Sequence, residues 1–113
     1  MSQRPHERRF PRVAIARQAE GWWRDSAGHR HRLKAFLTGL SEGGARLRSA
    51  DPVPANAPIE LSFTLGEKHR VDIRGRVRWW RRFGAEREVG VEFDRPSRPV
   101  GEFVEQALAS PAR

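Results

Sequence analysis

Two short segments carry the residue types best suited to binding chemistry. The first, ERRFPR, places Arg8, Arg9 and Arg12 within five residues near the N-terminus, and the second is SEGG at residues 41–44. Guanidinium groups offer planar forks of donors that grip phosphates and guanine edges. Glycines let the backbone approach a ligand and expose its amides. Together the segments predict a site for a planar anionic molecule such as a nucleotide; the alternative is a basic tail followed by an ordinary hairpin turn.

Patterns that would indicate catalysis or metal binding are missing from the sequence. It has no GxGxxG and no Gly-Lys-Ser/Thr phosphate loop, and its serines have no partnered base. His29 and His31 point the same way in a strand, but only Asp25 could join them, so we interpret them as solvated surface residues. There are no cysteines to form disulfides or thiolate metal sites. We therefore expect a non-enzymatic protein without a metal or cofactor.

The composition favours one small globular domain with a strong positive charge. The chain has 113 residues, 37% of them apolar and 32% charged, with a net charge of +8. All of its 22 basic residues except Lys34 and Lys68 are arginine. A genome rich in GC would explain that total equally well, so the positions of the arginines carry the argument. No stretch resembles a membrane span or a secretory signal, and we expect a cytoplasmic protein.

Alternating apolar residues, together with the turn signals between extended stretches, predict six strands. We place the strands at residues 13–23, 30–38, 45–48, 59–65, 71–80 and 88–93, with a break at residues 39–44 and a proline-rich loop at residues 51–58. One face of the fifth strand holds Val71, Ile73, Gly75, Val77 and Trp79. The last two strands are predicted to form an antiparallel hairpin.

The final segment has the spacing of an amphipathic helix. Ser97 can cap it and Pro99 suits its first turn. Its apolar face would consist of Val100, Phe103, Val104, Ala107 and Leu108. We therefore predict an all-β fold, a six-stranded antiparallel barrel whose helix packs over an open end or seam. Residues 1–12 would form a flexible arm, residues 13–109 the barrel with its helix, and residues 110–113 a tail.

The order of these elements resembles the PilZ domain family. Its members carry RxxxR in an N-terminal arm, then [D/N]xSxxG at the end of a strand, then an antiparallel barrel and a C-terminal helix. This sequence has RRFPR at residues 8–12, a partial second motif, GLSEGG, at residues 39–44, and GRVRWWRRFGAEREVGVEF at residues 75–93, which is similar to the family's final hairpin. The resemblance covers residues 4–108.

The resemblance implies a receptor or adaptor for cyclic di-GMP that signals to an effector protein. Arg8 and Arg12 would clamp guanine and phosphate, with Arg9 as an auxiliary contact. Ser41 would be a polar contact and Gly44 the point of close approach. Binding would order the arm against the barrel, a change that a partner could detect. Carried over by position, the expected site residues are Arg8, Arg9, Arg12, Gly39, Ser41, Gly43 and Gly44.

The second motif departs from the family at its first position. Gly39 stands where the family has Asp or Asn, and it has no side chain to accept from the guanine N1 and N2 donors. One such lost hydrogen bond costs about 1–3 kcal/mol, or about one to two decades in affinity. We expect ligand binding to be retained but weakened.

Two other functions remain open from the sequence. A degenerate PilZ domain would act as a ligand-independent interaction module, with a partner surface that includes Trp80 or the pair Trp22 and Trp23. A basic barrel could also bind nucleic acid through a stripe of arginines, which we instead interpret as a solvated strand face. The stripe consists of Arg74, Arg76 and Arg78. The sequence allows a monomer or a dimer.

Overall fold

Six antiparallel strands close into a barrel, and one helix follows them. The computed structural model describes residues 10–109. The elements are β1 (Arg12–Arg24), β2 (Arg30–Ser41), β3 (Gly44–Ser49), β4 (Pro58–Leu65), β5 (His69–Phe83), β6 (Glu86–Phe93) and α1 (Arg98–Ala109). Neighbours around the barrel run β1-β2-β3-β6-β5-β4. The predicted fold class is confirmed, and β1 begins one residue before the predicted start. Residues 1–9 and 110–113, which include most of the predicted arm and the whole tail, lie outside the described part.

The first hairpin loop differs from the prediction. We expected the chain to leave its strand at Gly39, but β2 continues to Ser41 and only Glu42 and Gly43 form the turn. Gly39 pairs with Ala14 on one side and Arg46 on the other. The glycine-rich composition suggested a long break, whereas the two flanking strands hold Gly39 in the ladder.

Alternate strand residues fill the barrel, and the helix covers part of it. The fully buried side chains include Leu33, Leu37, Leu40 and Leu47. Val53 in the proline-rich loop is also buried, so this loop is part of the core. The apolar side chains of β4 and β6 point into the barrel interior, as their alternation predicted.

The buried residues of α1, which are Val100, Gly101 and Val104, lie in its first two turns. The Ser97 hydroxyl accepts a hydrogen bond from the Val100 N–H at 3.3 Å, as expected for a helix cap. Val100 and Val104 are buried beside β1 and β2. The prediction that Ala107 and Leu108 are also buried was wrong, because both lie in the last turn, which is exposed to solvent.

A bulge in β5 changes which side of the sheet Trp79 occupies. The register between β5 and β6 shifts between Val77 and Trp79. We assigned Trp79 to the same face as Val71, Ile73 and Val77, which are buried, but the extra residue turns its ring outward, where it is 42% exposed. Trp80 pairs with the buried Val89 instead and is 38% exposed near the end of the hairpin.

Asp25 organises the turn between β1 and β2. Its Oδ1 accepts hydrogen bonds from the backbone N–H groups of Ala27 and His29, both at 2.9 Å. Its Oδ2 lies 2.8 Å from Nε2 of His31, whose ring stacks on Trp23 with 4.2 Å between centroids. The hydrogen bond to His31, followed by that to the His29 backbone, lowers the pKa of Asp25 from 3.8 to about 2.

We expect Asp25→Asn to remove a pH-dependent part of the stability. A carboxylate whose folded pKa lies below its unfolded value stabilises the fold above pH 3.8, and that contribution is lost as the pH falls towards 2. The free energy of unfolding should therefore differ most between wild type and variant near neutral pH and converge in acid. Urea titrations over this pH range would measure it, with Asp94→Asn as a charge-matched control. A difference that stays constant with pH would contradict this assignment.

Candidate functional site

The residues of the second motif lie on the outer face of the barrel, beside the start of β1. Arg12 is the ladder partner of Ser41, and Gly39 is the partner of Arg46. A Cβ atom built on Gly39 would lie 3.5 Å from Cδ of Arg12 and 3.4 Å from Cβ of Arg46. The structure therefore brings together arginines from two strands over the one position where the expected side chain is missing.

Arg46 carries a donor without an acceptor. Its Nε is buried and has no hydrogen-bond partner within residues 10–109. The same nitrogen is 3.6 Å from the position of a Cβ on Gly39. Burying an unsatisfied donor is costly, so the site is suited to an acceptor placed above Gly39. Sequence reasoning missed Arg46 because its position depends on strand pairing rather than on the motif.

Phe10 connects the arm to the turn of the second motif. Its ring contacts Gly43, where a Cβ atom would lie only 2.7 Å from Cδ2 of the ring. A side chain at this position would push the ring away, so glycine is required for this packing. At Phe10 the end of the arm therefore lies across this turn, just before β1 begins. Arg8 and Arg9, the other two predicted arginines, lie outside the described residues.

Ser41 and Gly44 have structural roles in the turn between β2 and β3. The buried Ser41 hydroxyl donates to the Gly44 carbonyl at 3.4 Å. A Cβ on Gly44 would lie 2.5 Å from the Val91 carbonyl oxygen, so glycine permits the close approach of β3 and β6. These contacts shape the turn, and a direct contact of either residue with a ligand stays a prediction.

The turn between β2 and β3 also forms hydrogen bonds and contacts with β6 and the helix region. The Phe93 N–H donates to the Gly43 carbonyl at 2.9 Å, and the Ser97 N–H donates to the Glu42 carbonyl at 2.8 Å. The Glu42 side chain also packs against Gly101 of α1. These contacts connect the turn to the end of β6 and to the start of the helix.

Trp79 extends the site beyond the predicted motifs. Its ring lies over Gly90, where an added Cβ would overlap with ring atoms. Gly90 is the ladder partner of Arg46, so Gly39, Arg46, Gly90 and Trp79 form one row across β2, β3, β6 and β5. Adjacent strands are about 4.8 Å apart, so the row spans about 14 Å. It offers guanidinium groups at one end and an exposed aromatic ring at the other.

A groove on the opposite side of the barrel has compensated charges. Trp22 packs under the Arg30 and Arg32 guanidinium groups at 4.2 and 5.4 Å from its ring centroid. The groove beside it has a volume of about 460 Å³. Glu60 pairs with Arg30 and with Arg74 on its rim. None of the predicted ligand-binding residues lines this groove.

The arginine stripe on β5 is also largely paired. Arg74 lies 4.0 Å from Glu60, Arg78 pairs with Glu92, and Arg76 donates to the Asn56 carbonyl at 2.7 Å. Within residues 10–109, no group of three His, Cys, Asp or Glu side chains could hold a metal ion. The unsatisfied guanidinium donor beside Gly39 therefore distinguishes the outer row from these surfaces.

Comparison with known proteins identifies the family. The model of the PilZ domain matches residues 3–110, so the chain belongs to the PilZ domain family. This confirms the resemblance drawn from the two motifs and the final hairpin. No curated protein sequence matches the chain.

Solved structures share the fold at low sequence identity. The Bacillus subtilis inhibitor of motility, MotI/DgrA, matches with a TM-score of 0.70 and 14% identity over 97% of this chain and 54% of that one. The PilZ domain of YcgR from Escherichia coli, solved with c-di-GMP, matches with a TM-score of 0.62 and 14% identity, covering 88% and 86%. The K. pneumonia MrkH–c-di-GMP complex gives 0.62 and 18%, covering 96% and 52%.

The chain spans about half the length of MotI/DgrA and of MrkH. No helix within residues 10–109 is both long and apolar enough to cross a membrane.

Proposed function

We propose that this PilZ domain is a receptor for cyclic di-GMP, which binds on the outer row of Gly39, Arg46, Gly90 and Trp79, with Arg12 beside its Gly39 end. The observation that carries the proposal is the buried Nε of Arg46, a donor without a partner among the described residues, beside an arginine of the RxxxR motif. Two similar folds, YcgR and MrkH, were solved with c-di-GMP. Guanidinium groups pair with guanine O6 and N7 and neutralise phosphates.

Arg8 and Arg9 complete the proposed clamp from the arm. Arg8 precedes Arg12 by four residues, and an extended chain of that length reaches at most about 14 Å. Arg12 is paired with Ser41, so Arg8 stays within reach of the second motif. A ligand can then be held between the arm and the outer row, with the exposed ring of Trp79 as a surface on which a base stacks.

The proposed output is a conformational signal rather than a reaction. Ordering of the arm over the turn would change the surface beside Phe10, and the bonds from Glu42 and Gly43 link that turn to α1 and β6. An effector protein that contacts the arm or the helix would distinguish the two states. We place this non-enzymatic adaptor in the cytoplasm, as a monomer or a dimer.

Calorimetry with cyclic di-GMP tests the proposal directly. We expect saturable binding at micromolar to tens of micromolar ligand, because the site lacks one family acceptor. Absence of heat at these concentrations, with the barrel shown to be folded by circular dichroism, would contradict it. That result would favour the second candidate, a ligand-independent interaction module, for which the exposed Trp79 and Trp80 supply an aromatic surface.

Gly39→Asp should raise the affinity for cyclic di-GMP by about 10- to 100-fold. The added Cβ would meet Arg12 and Arg46 only at ordinary contact distances of 3.4 to 3.6 Å, so the side chain fits. Its carboxylate would accept from guanine and lie beside the unsatisfied Nε of Arg46.

Gly39→Ala is the matched control, since it adds the same Cβ without an acceptor. Calorimetric titrations of the two variants should differ, with the alanine variant binding no better than wild type. Equal affinities of the aspartate and alanine variants would contradict the role of position 39.

A further inference from the structure

The end of β5 has an unpaired edge. β4 pairs with β5 only as far as Arg76, and Asn56 and Ala57 exchange backbone hydrogen bonds with Val77. Beyond that point, residues 79–83 pair with β6 on one side and with no other backbone in the part of the chain that the structure describes. Unpaired N–H and C=O groups in a row can accept another strand.

This edge has an unusual concentration of exposed aromatic side chains. Trp79, Trp80 and Phe83 are 42%, 38% and 46% exposed. They make up three of the five exposed large hydrophobic residues among residues 10–109. Exposed edges that combine free backbone groups with apolar side chains are sites of strand addition, and charged residues usually restrict which strands can add.

The charges at this edge are mainly positive. The side chain of Arg82 has no ion pair or hydrogen bond within residues 10–109. Arg87 stacks on Trp80 at 3.6 Å and donates to the Val53 carbonyl, but it has no carboxylate partner there either. Arg48 stacks on Phe83 at 5.1 Å. Among these four arginines, Arg81 alone has a carboxylate partner within residues 10–109, Glu88 at 2.6 Å.

We propose that residues 79–83 of β5 bind an extended acidic segment of a partner protein as an additional strand. The free edge would supply main-chain hydrogen bonds, the aromatic rings would contact its apolar side chains, and Arg82 and Arg87 would pair with its carboxylates.

Charge and geometry favour an acidic segment of a partner protein over two other occupants, a second copy of this chain and a nucleic acid. A second copy of the chain in antiparallel register would bring the arginines of both edges together, and like charges across strands are destabilising. A nucleic acid would match the arginines and rings, but it has no alternating N–H and C=O groups to pair with a strand edge. The proposal does not depend on cyclic di-GMP, and its test omits the nucleotide.

The test uses a blocked peptide of alternating glutamate and valine, titrated into the ¹⁵N-labelled full chain. We expect saturable shifts in the amide signals of residues 79–83 and slower hydrogen exchange there. A peptide with lysine in place of glutamate, and a glutamate peptide N-methylated at alternate residues, should both bind at least about tenfold more weakly.

Variants locate the contact on the protein. Arg82→Glu should weaken binding of the glutamate peptide about tenfold, whereas Arg95→Glu, an equal charge change in the loop after β6, should leave it unchanged. The proposal would be overturned if the shifts did not saturate or if they mapped to other strands. Equal binding of the N-methylated peptide would also overturn it. It would also be overturned if oligothymidylate, rather than the peptide, bound residues 79–83, or if sedimentation showed that two copies pair through this edge.

Discussion

Arg12→Ala should reduce the affinity for cyclic di-GMP by about hundredfold, which places binding beyond the range of ordinary calorimetry. The guanidinium of Arg12 belongs to the RxxxR motif, and its side chain reaches over Gly39 towards Arg46. Charge-assisted hydrogen bonds contribute about 1.5–3 kcal/mol each, and a guanidinium that touches both guanine and phosphate makes more than one. Because Gly39 supplies no acceptor of its own, the proposed ligand would depend on the arginines more than in a domain with the complete motif.

The control for this variant is Arg74→Ala. It removes the same charge from the exposed surface of β5, where Arg74 faces Glu60 rather than the proposed site. Its affinity should match that of wild type, whereas Arg8→Ala should behave like Arg12→Ala. Equal losses in the Arg12 and Arg74 variants would show that the ligand responds to net charge alone, and would contradict a clamp.

Gly21→Ala should destabilise the fold by about 3 kcal/mol. The β1–β4 pairing that closes the barrel comprises only four residue pairs, and Gly21 opposite Leu61 is one of them. A Cβ on Gly21 would overlap with the carbonyl oxygen of Glu60, a backbone atom that cannot rotate away. The strands must separate to relieve the overlap, and this breaks the closure. Domains of this size are stable by about 5–15 kcal/mol, so the loss is a large share of the total.

Urea denaturation of Gly21→Ala and Gly39→Ala would separate this effect from the general consequence of adding a methyl group. Both changes restrict the unfolded chain, which alone would stabilise by about 0.4–1 kcal/mol. At Gly39 the new Cβ finds ordinary contacts of 3.4 to 3.6 Å, so little destabilisation is expected. Similar midpoints for the two variants would contradict the steric argument.

The sequence was most informative where a pattern is local. Turn signals and breaks located the first three strands, period-2 alternation the last three, and helical spacing α1, because each depends on neighbours a few residues away. The exceptions were Gly39 and Trp79. Whether a glycine stays in a ladder, and whether a bulge turns a side chain outward, depends on partner strands that local spacing does not reveal.

The candidate site, like the fold, was predicted where its residues follow from local patterns and missed where they depend on strand pairing. Arg12 and the residues of the second motif were found because the family's motifs are defined along the chain. Arg46 was missed because its relation to Gly39 comes from the β2–β3 register. Its position follows from the hairpin once the turn is known to contain only Glu42 and Gly43, which pairs Ser41 with Gly44 and brings Arg46 opposite Gly39.

The contact between Trp79 and Gly90 also constrains how this chain can vary. The indole occupies the space that any side chain on Gly90 would need, so Gly90 cannot be replaced while the ring stays in place. A bulky residue at position 90 becomes acceptable only after the ring at position 79 has been lost. In sequences related to this one, replacement of the glycine should therefore follow loss of the tryptophan, and such a sequence no longer has an aromatic ring at that end of the row.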